Sequence, residues 1–399
     1  MNARIEHDLK VQHSKDERTR QFFVSGLRRY VFNTMAQAMK TTYEDGVEQQ
    51  YRQRHGQAPG NDVDIHKAMR DAPAFQFYSA MRTATQKMLW RSVMPAVERQ
   101  AGELAKRAGD LSGANNQAQG TLTLDPDLTV PDYVADIDVH LMPGSYSAEY
   151  MADDVSMGAV FENGVAVLSM GFMGERLEDI GQSIAAFIAA KHPSFAPARI
   201  LDLGCTVGHS TLPWAEAYPD AEVHAIDVAA PMLRYAHGRA QSLGITAHFH
   251  QQDAAAPRFE DGAFDLIFSS MFLHELHGPL LDKTFREIHR MLRPGGMMLH
   301  YELPPSAMKQ PYENFYLNWD SYYNNEPFYK AFRDGDPVRL CTDAGFAPDK
   351  FFRFVTPSLN LHGHDAITKA AQAQQGAMAK GPVGQLVDGV NWFGFGCWK

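Results

Sequence analysis

Cysteine is scarce in this chain, three residues in 399, and Cys205, Cys341 and Cys397 lie far apart. An odd number at such spacing argues against a disulfide framework and the paired ligands of a structural zinc site, so no metal is expected and the thiols read as small packing residues. Long apolar runs are missing as well. None approaches the roughly 20 residues that span a bilayer, so no membrane partner is expected. The first twenty residues, Met1 to Arg20, lack the central apolar stretch of a secretory signal, which makes a cytoplasmic location the expectation. Positive charge is also short, with 37 Lys and Arg against 47 Asp and Glu and a net charge of -10. That balance argues against an extended phosphate-binding surface and hence against nucleic acid as a partner.

What is present is globular in composition, with 45% apolar and 21% charged residues, and long enough for two or three domains. Helical spacing of Phe23, Leu27, Tyr30, Val31, Met35 and Ala38, then of Phe75, Tyr78, Leu89 and Val93, predicts a mainly helical segment over 1–130, interrupted at Pro95. Gly56 to Asp64 reads as a polar turn, and Gly109 to Gly120 as a linker. Arg18, Arg20, Arg28 and Arg29 read as a solvated or domain-facing helix surface. Residues 131–195 form a connecting region: 131–173 carries Pro143-Gly144, Asn163-Gly164 and short apolar runs that fit strand or helix, and Glu175 to Ala190 reads as a helix.

From Arg199 strands and helices alternate, the pattern of a parallel sheet covered on both faces. The expected strands are Ile200–Leu203, Glu222–Ile226, about Thr246–His250, Phe264–Phe268 and Met297–Tyr301. The first is followed by Gly204-Cys205-Thr206-Val207-Gly208. A dinucleotide turn G-x-G-x-x-G would need glycine at 204, 206 and 209, and Thr206 and His209 break it. The pattern acid-x-G-x-G-x-G is met by Asp202, Gly204 and Gly208, with Thr206 as the departure. Threonine fits there if its φ is negative.

Asp202, Asp227 and Asp253 end three successive strands, and ligands in open sheets bind at such ends. Together with Phe264-Asp265-Leu266-Ile267 and Met291-Leu292-Arg293-Pro294-Gly295-Gly296, this series resembles the class I S-adenosylmethionine-dependent methyltransferases, closest to the ubiquinone and menaquinone biosynthesis type, over residues 198 to 302. The resemblance implies a Rossmann-like doubly wound α/β fold at 196–399 with the mainly helical amino-terminal domain added. It implies S-adenosyl-L-methionine as cofactor, held by Asp202, Gly204, Cys205, Thr206, Gly208, Asp227, Val228, Met232, Asp253, Ala254, Ser269 and Ser270. Asp265 and the Pro294-Gly295-Gly296 turn serve the architecture.

A sulfonium methyl is already activated, so the residues around it have to orient the acceptor and exclude water. His274 is the candidate general base, because a hydroxyl acceptor must lose its proton; the competing reading of the same Leu-His pair is packing or hydrogen bonding. Tyr316, Trp319, Tyr322, Tyr323 and Tyr329 belong to an aromatic-rich segment, 304–340, expected to cap a small organic acceptor or to pack an extra helix on the amino-terminal domain. His248, His250 and His362-Gly363-His364 would bind a metal only with distant ligands. The amino-terminal domain is expected to form acceptor walls or a homodimer contact. The function expected is methyl transfer to a small molecule; the alternatives are another S-adenosylmethionine-using transferase or cyclase, and a non-catalytic adenosine-ligand-binding scaffold.

Overall fold

The computed structural model describes residues 6–113, 120–169, 171–373 and 391–399. Ser14 opens the helical layer with a capping box, its hydroxyl accepting from the Glu17 amide while the Glu17 carboxylate accepts from the Ser14 amide. The chain then stays helical to His55 through α1 (Lys15–Tyr30), α2 (Ala36–Thr42) and α3 (Glu48–His55). Single π turns, Val31–Met35 and Tyr43–Val47, join the three. Gly56, left-handed at φ 74, ends the run. After α4 (Asp62–Met69), the 26-residue α5 (Pro73–Glu98) passes through Pro95. The expected interruption is absent because Pro95 lies in the last turn, where one missing amide costs little against the burial of Leu89, Val93, Ala96 and Val97. Helix α6 (Ala101–Ser112) takes up the start of the expected linker, and 114–119 lie outside the described residues.

Next come β1 (Leu122–Thr123), α7 (Asp132–Ala135), α8 (Ser156–Leu168) and α9 (Asp179–Lys191). The α/β part runs β2 (Arg199–Leu203), α10 (Thr211–Ala217), β3 (Glu222–Asp227), α11 (Ala230–Leu243), β4 (His248–Gln251), β5 (Phe264–Ser270), α12 (Gly278–Met291) and β6 (Leu292–Tyr301). It ends with α13 (Pro311–Tyr323), α14 (Tyr329–Asp334), α15 (Pro337–Asp343), β7 (Phe351–Pro357), α16 (Leu359–Gln372) and β8 (Asn391–Trp398). The eight strands are ordered β1-β4-β3-β2-β5-β6-β8-β7, parallel except for β8, which pairs antiparallel with both neighbours. This is the doubly wound sheet, extended by β1 on one edge. The Arg293–Gly296 turn is a bulge at the start of β6, and His362-Gly363-His364 sits at a kink in α16 rather than in a loop. Asp265 accepts from the Ala198 and Arg199 amides at 2.7 Å, fastening β2 to β5.

Apolar clusters cover both faces of the sheet, and a third joins Val24, Leu89, Val93 and Val160 to Val207, Met232 and Tyr235. The helical layer and the α/β part therefore share core. Contact is closest at α8. A Cβ on Gly158 would lie 2.4 Å from Tyr235, and one on Gly164 would lie 2.2 Å from the Trp90 ring. The Asn163-Gly164 pair thus sits in mid-helix, because Trp90 needs the bare backbone there.

Glycine to alanine inside a helix ordinarily stabilises by about 0.5–1 kcal/mol. At Gly164 the ring of Trp90 reverses the sign. Gly164→Ala is expected to lower unfolding free energy by about 1–3 kcal/mol in urea titration.

Candidate functional site

The carboxyl ends of β2, β3 and β5 open into a cavity of about 1230 Å³ whose far wall comes from the helical layer. Asp202, Gly204, Cys205, Thr206, Asp227, Val228, Ala254 and Ser270 line it on the sheet side. Asp202 is fully enclosed, its Oδ2 accepting from Thr211 Oγ1 at 2.6 Å; burial, only partly offset by that bond, pushes its carboxyl up to about 8. Asp227 accepts from the Thr206 and Ala229 amides, each at 2.9 Å, and burial raises its carboxyl too. Neither acid forms an ion pair among the described residues. Both are buried acceptors facing the cavity, and neither is paired with a cation. Gly204 has φ 72, and a Cβ there would strike the Phe272 ring at 2.4 Å, so glycine serves both the turn and the loop after β5.

The remaining sequence candidates are placed elsewhere. Gly208 sits behind the loop at φ 79, and Met232 is wholly in core. Asp253 caps its own turn through the Ala255 amide at 2.8 Å, leaving the neighbouring Gln252 to line the cavity. Ser269 is bonded to His300 Nδ1 at 2.8 Å. Of the aromatic candidates, Tyr316 and Tyr329 line the cavity. Trp319 does not: it packs between Phe75 and Tyr78, completing the apolar seam between α13 and the helical layer. Tyr322 is 77% exposed, and Tyr323, in the last turn of α13 with its ring 5.4 Å from Trp319, is also at the surface.

Thr206 departs from expectation. Its φ is 47, in the left-handed region that strains a β-branched residue by about 1–3 kcal/mol. It is one of eight described non-glycine residues with positive φ, and four of them, His140, Leu177, Thr206 and Met271, line this cavity. Strain concentrates at the site. Thr206→Gly is therefore expected to keep or raise the melting temperature, where Thr→Gly at an ordinary loop position lowers it; a clear drop in calorimetry would refute the strain.

Beyond β5, Glu302 clamps the loop. Its Oε1 accepts from the amides of Phe272 (2.9 Å) and Leu273 (2.6 Å), and its Oε2 from His274 Nδ1 at 2.7 Å. Burial alone would lower the His274 pKa, but Glu302, with Glu275 and Glu326 beyond, pushes it up to about 9. His140, reaching in from the connecting region, sits 3.0 Å from Glu326 and 3.4 Å from Glu275 and is raised against its own burial to about 10. In both rings the neighbouring carboxylates favour the protonated form over the neutral one. His274 then donates to Glu302, which is the hydrogen-bonding reading of the Leu-His pair. Sequence reasoning missed His140 and Glu302, which belong to no motif, whereas Glu326 lies in the 304–340 segment expected to cap the acceptor. A weak signal existed in the Leu-His pair's need for a partner.

The raised pKa makes His274 stabilising below its unfolded value of about 6.5, with the contribution lost as pH rises through about 9. Histidine NMR titration should find His274 and His140 charged at pH 7.5 and titrating near 9 and 10, while His224 and His300, lowered by burial to about 4 and about 3, stay neutral. A His274 midpoint near 6.5 would contradict the Glu302 pairing.

Residues 200–296 match the family model described as a methyltransferase domain. They are a class I methyltransferase domain. Among curated relatives, demethylmenaquinone methyltransferase of Thermus thermophilus is 38% identical over 110 residues, 28% of this chain and 49% of that protein. Malonyl-[acyl-carrier protein] O-methyltransferase of Methylococcus capsulatus is 36% identical over 149 residues, 36% and 48% of the two chains. The chain thus spans about half the length of the curated relatives it matches. A solved structure of Haemonchus contortus phosphoethanolamine N-methyltransferase 2, bound to phosphomonomethylethanolamine and S-adenosylhomocysteine, aligns with 60% of this chain and 58% of its own at 17% identity and TM-score 0.38. The methyltransferase domain accounts for the sheet side of the cavity, and the helical wall lies outside the matched residues. No described helix is long and apolar enough to cross a membrane.

Proposed function

We propose that the protein transfers the methyl group of S-adenosylmethionine to a small organic acceptor. The observation that carries this reading is the pair of buried acids, Asp202 and Asp227, on either side of the strained Gly204–Thr206 turn and facing one cavity with no cation against them. Their chemistry fits a ligand rich in donors. Asp202, uncharged at neutral pH until a positive group approaches, would accept from an ammonium, and Asp227 keeps lone pairs free for ribose hydroxyls beside its two backbone bonds. Val228, Gln252 and Ala254 would border the base.

S-adenosylmethionine supplies, when bound, a methyl already activated on a sulfonium. The chain's own work is then to position the acceptor in line and keep water away. The Ser270–Glu275 loop, held by Glu302, forms one side of the acceptor space. The π turn after α1, with α5, α13 and α14, forms the other, with Phe32, Trp90, Tyr316 and Tyr329 as its apolar wall. His274 acts as a positioning residue: it shares Glu302 with the loop amides and fixes the loop's path.

Calorimetric titration with S-adenosylmethionine tests the donor seat. Asp227→Ala should weaken binding by at least about tenfold, the value of one or two hydrogen bonds to a charged group. Unchanged affinity in a cooperatively melting variant would refute the assignment.

A further inference from the structure

Arg28 stands on α1 at the cavity wall, 1% exposed, which overturns the solvated reading of this arginine and leaves the domain-facing one. Its Nη1 donates to Gln86 Oε1 at 2.8 Å and its guanidinium lies over the Phe32 ring, while its Nε has no partner. No Asp or Glu among the described residues pairs with it. The nearby Asp320 is taken by Arg82, which grips it with two bonds, Nε at 2.6 Å and Nη2 at 3.0 Å. Arg82 also donates to Gln86 Oε1 and flanks the same Phe32 ring. Two guanidinium groups therefore share one amide oxygen and one carboxylate, leaving one positive charge uncompensated in the cavity wall. A buried charge without a counter-ion is strongly disfavoured. Burial and the neighbouring Arg82 lower the Arg28 pKa to about 9, a sign of the same shortage.

The local helix geometry is also unusual. Phe32 and Asn33, in the π turn Val31–Met35 that follows Arg28, line the cavity, and Glu44 does so from the second π turn. Widened turns of this kind are frequent at functional sites. Here the first places the Phe32 ring beneath both guanidinium groups.

We infer that Arg28 is the anion-binding residue of the acceptor half of the cavity and receives the carboxylate of a small organic acid. A carboxylate matches the planar fork, and its single charge matches the one uncompensated cation; a phosphate dianion would need a second. The inference rests on the proposed methyl transfer only in naming the ligand as acceptor. Phe32, Trp90 and Tyr316 give the body of that acid an apolar and aromatic seat.

Benzoate and the isosteric, uncharged benzamide are the probes, titrated calorimetrically into the full chain with and without saturating S-adenosylhomocysteine. The wild type is expected to bind benzoate at least about tenfold more tightly than benzamide, the strength of one charge-assisted hydrogen-bond pair. Arg28→Gln should erase that preference, and Arg28→Lys, which keeps the charge but not the fork, should retain part of it. Equal binding of the two probes by the wild type overturns the proposal whether or not the variants fold. So does a preference that survives in folded Arg28→Gln, or one for inorganic phosphate over benzoate. Failure of S-adenosylhomocysteine to bind would instead refute the donor reading, while the benzoate preference measured without it still decides the role of Arg28.

Discussion

One buried carboxylate holds together the parts from which the cavity is made. Glu162, on α8, accepts from His7 Nε2 at 2.8 Å, Tyr235 Oη at 2.6 Å and Arg239 Nε at 3.0 Å, with His209 Nε2 at 3.3 Å. Those partners come from the amino-terminal arm, from α11 and from the loop after β2 that bears Gly204 and Thr206. Burial alone would raise the Glu162 pKa; the surrounding His7, His209 and Arg239 instead hold it well below the usual carboxylate range. Arg239 passes on to Glu178 at 2.8 Å, just before α9. Such a pair is no better than apolar packing in net stability, but losing one partner strands the other, so it fixes which segments meet.

What meets there determines the chemistry the cavity can offer. The methyltransferase domain alone would present the ends of β2, β3 and β5 as an open crevice. The helical layer, locked on by Glu162 and by Trp90 against Gly164, closes that crevice and adds a second set of charges. The sheet side carries acids without cations, Asp202 and Asp227, and the helical side carries a cation without an acid, Arg28. Between them lies the His140, His274, Glu275 and Glu326 cluster, in which charges largely neutralise one another. A cavity with opposite deficits at its two walls suits two ligands of opposite local charge better than one.

The legible part of this arrangement was the part written in short-range pattern. Apolar runs ended by Asp202 and Asp227 located β2 and β3, and the rule that ligands sit at strand ends pointed to the crevice. The order of the sheet's far edge was not legible, since β8 inserts between β6 and β7 from the carboxyl terminus, nor was β1, two residues long. Helix α8 escaped because Asn163-Gly164 looks like a turn unless Trp90 is known to press on it. The condition set for Thr206, a negative φ, is not met: its φ is 47 in a turn where its N–H donates to Asp227. Asp253, expected at the ligand, accepts from the Ala255 amide through one carboxylate oxygen. Arg28, His140 and Glu302 could not be found from sequence: their roles arise from partners more than 25 residues away, Gln86, Glu326 and His274, that only the folded chain assembles.

The central claim is that the two walls hold a methyl donor and an acceptor in one space. The most direct measurement is incubation of the full chain with methyl-deuterated S-adenosylmethionine and a fractionated metabolite extract, followed by mass identification of labelled products. The account predicts a labelled small organic product, formed together with S-adenosylhomocysteine and lost in Asp227→Ala. Consumption of the donor with the label in methylthioadenosine, or label found only in protein or nucleic acid, would contradict it.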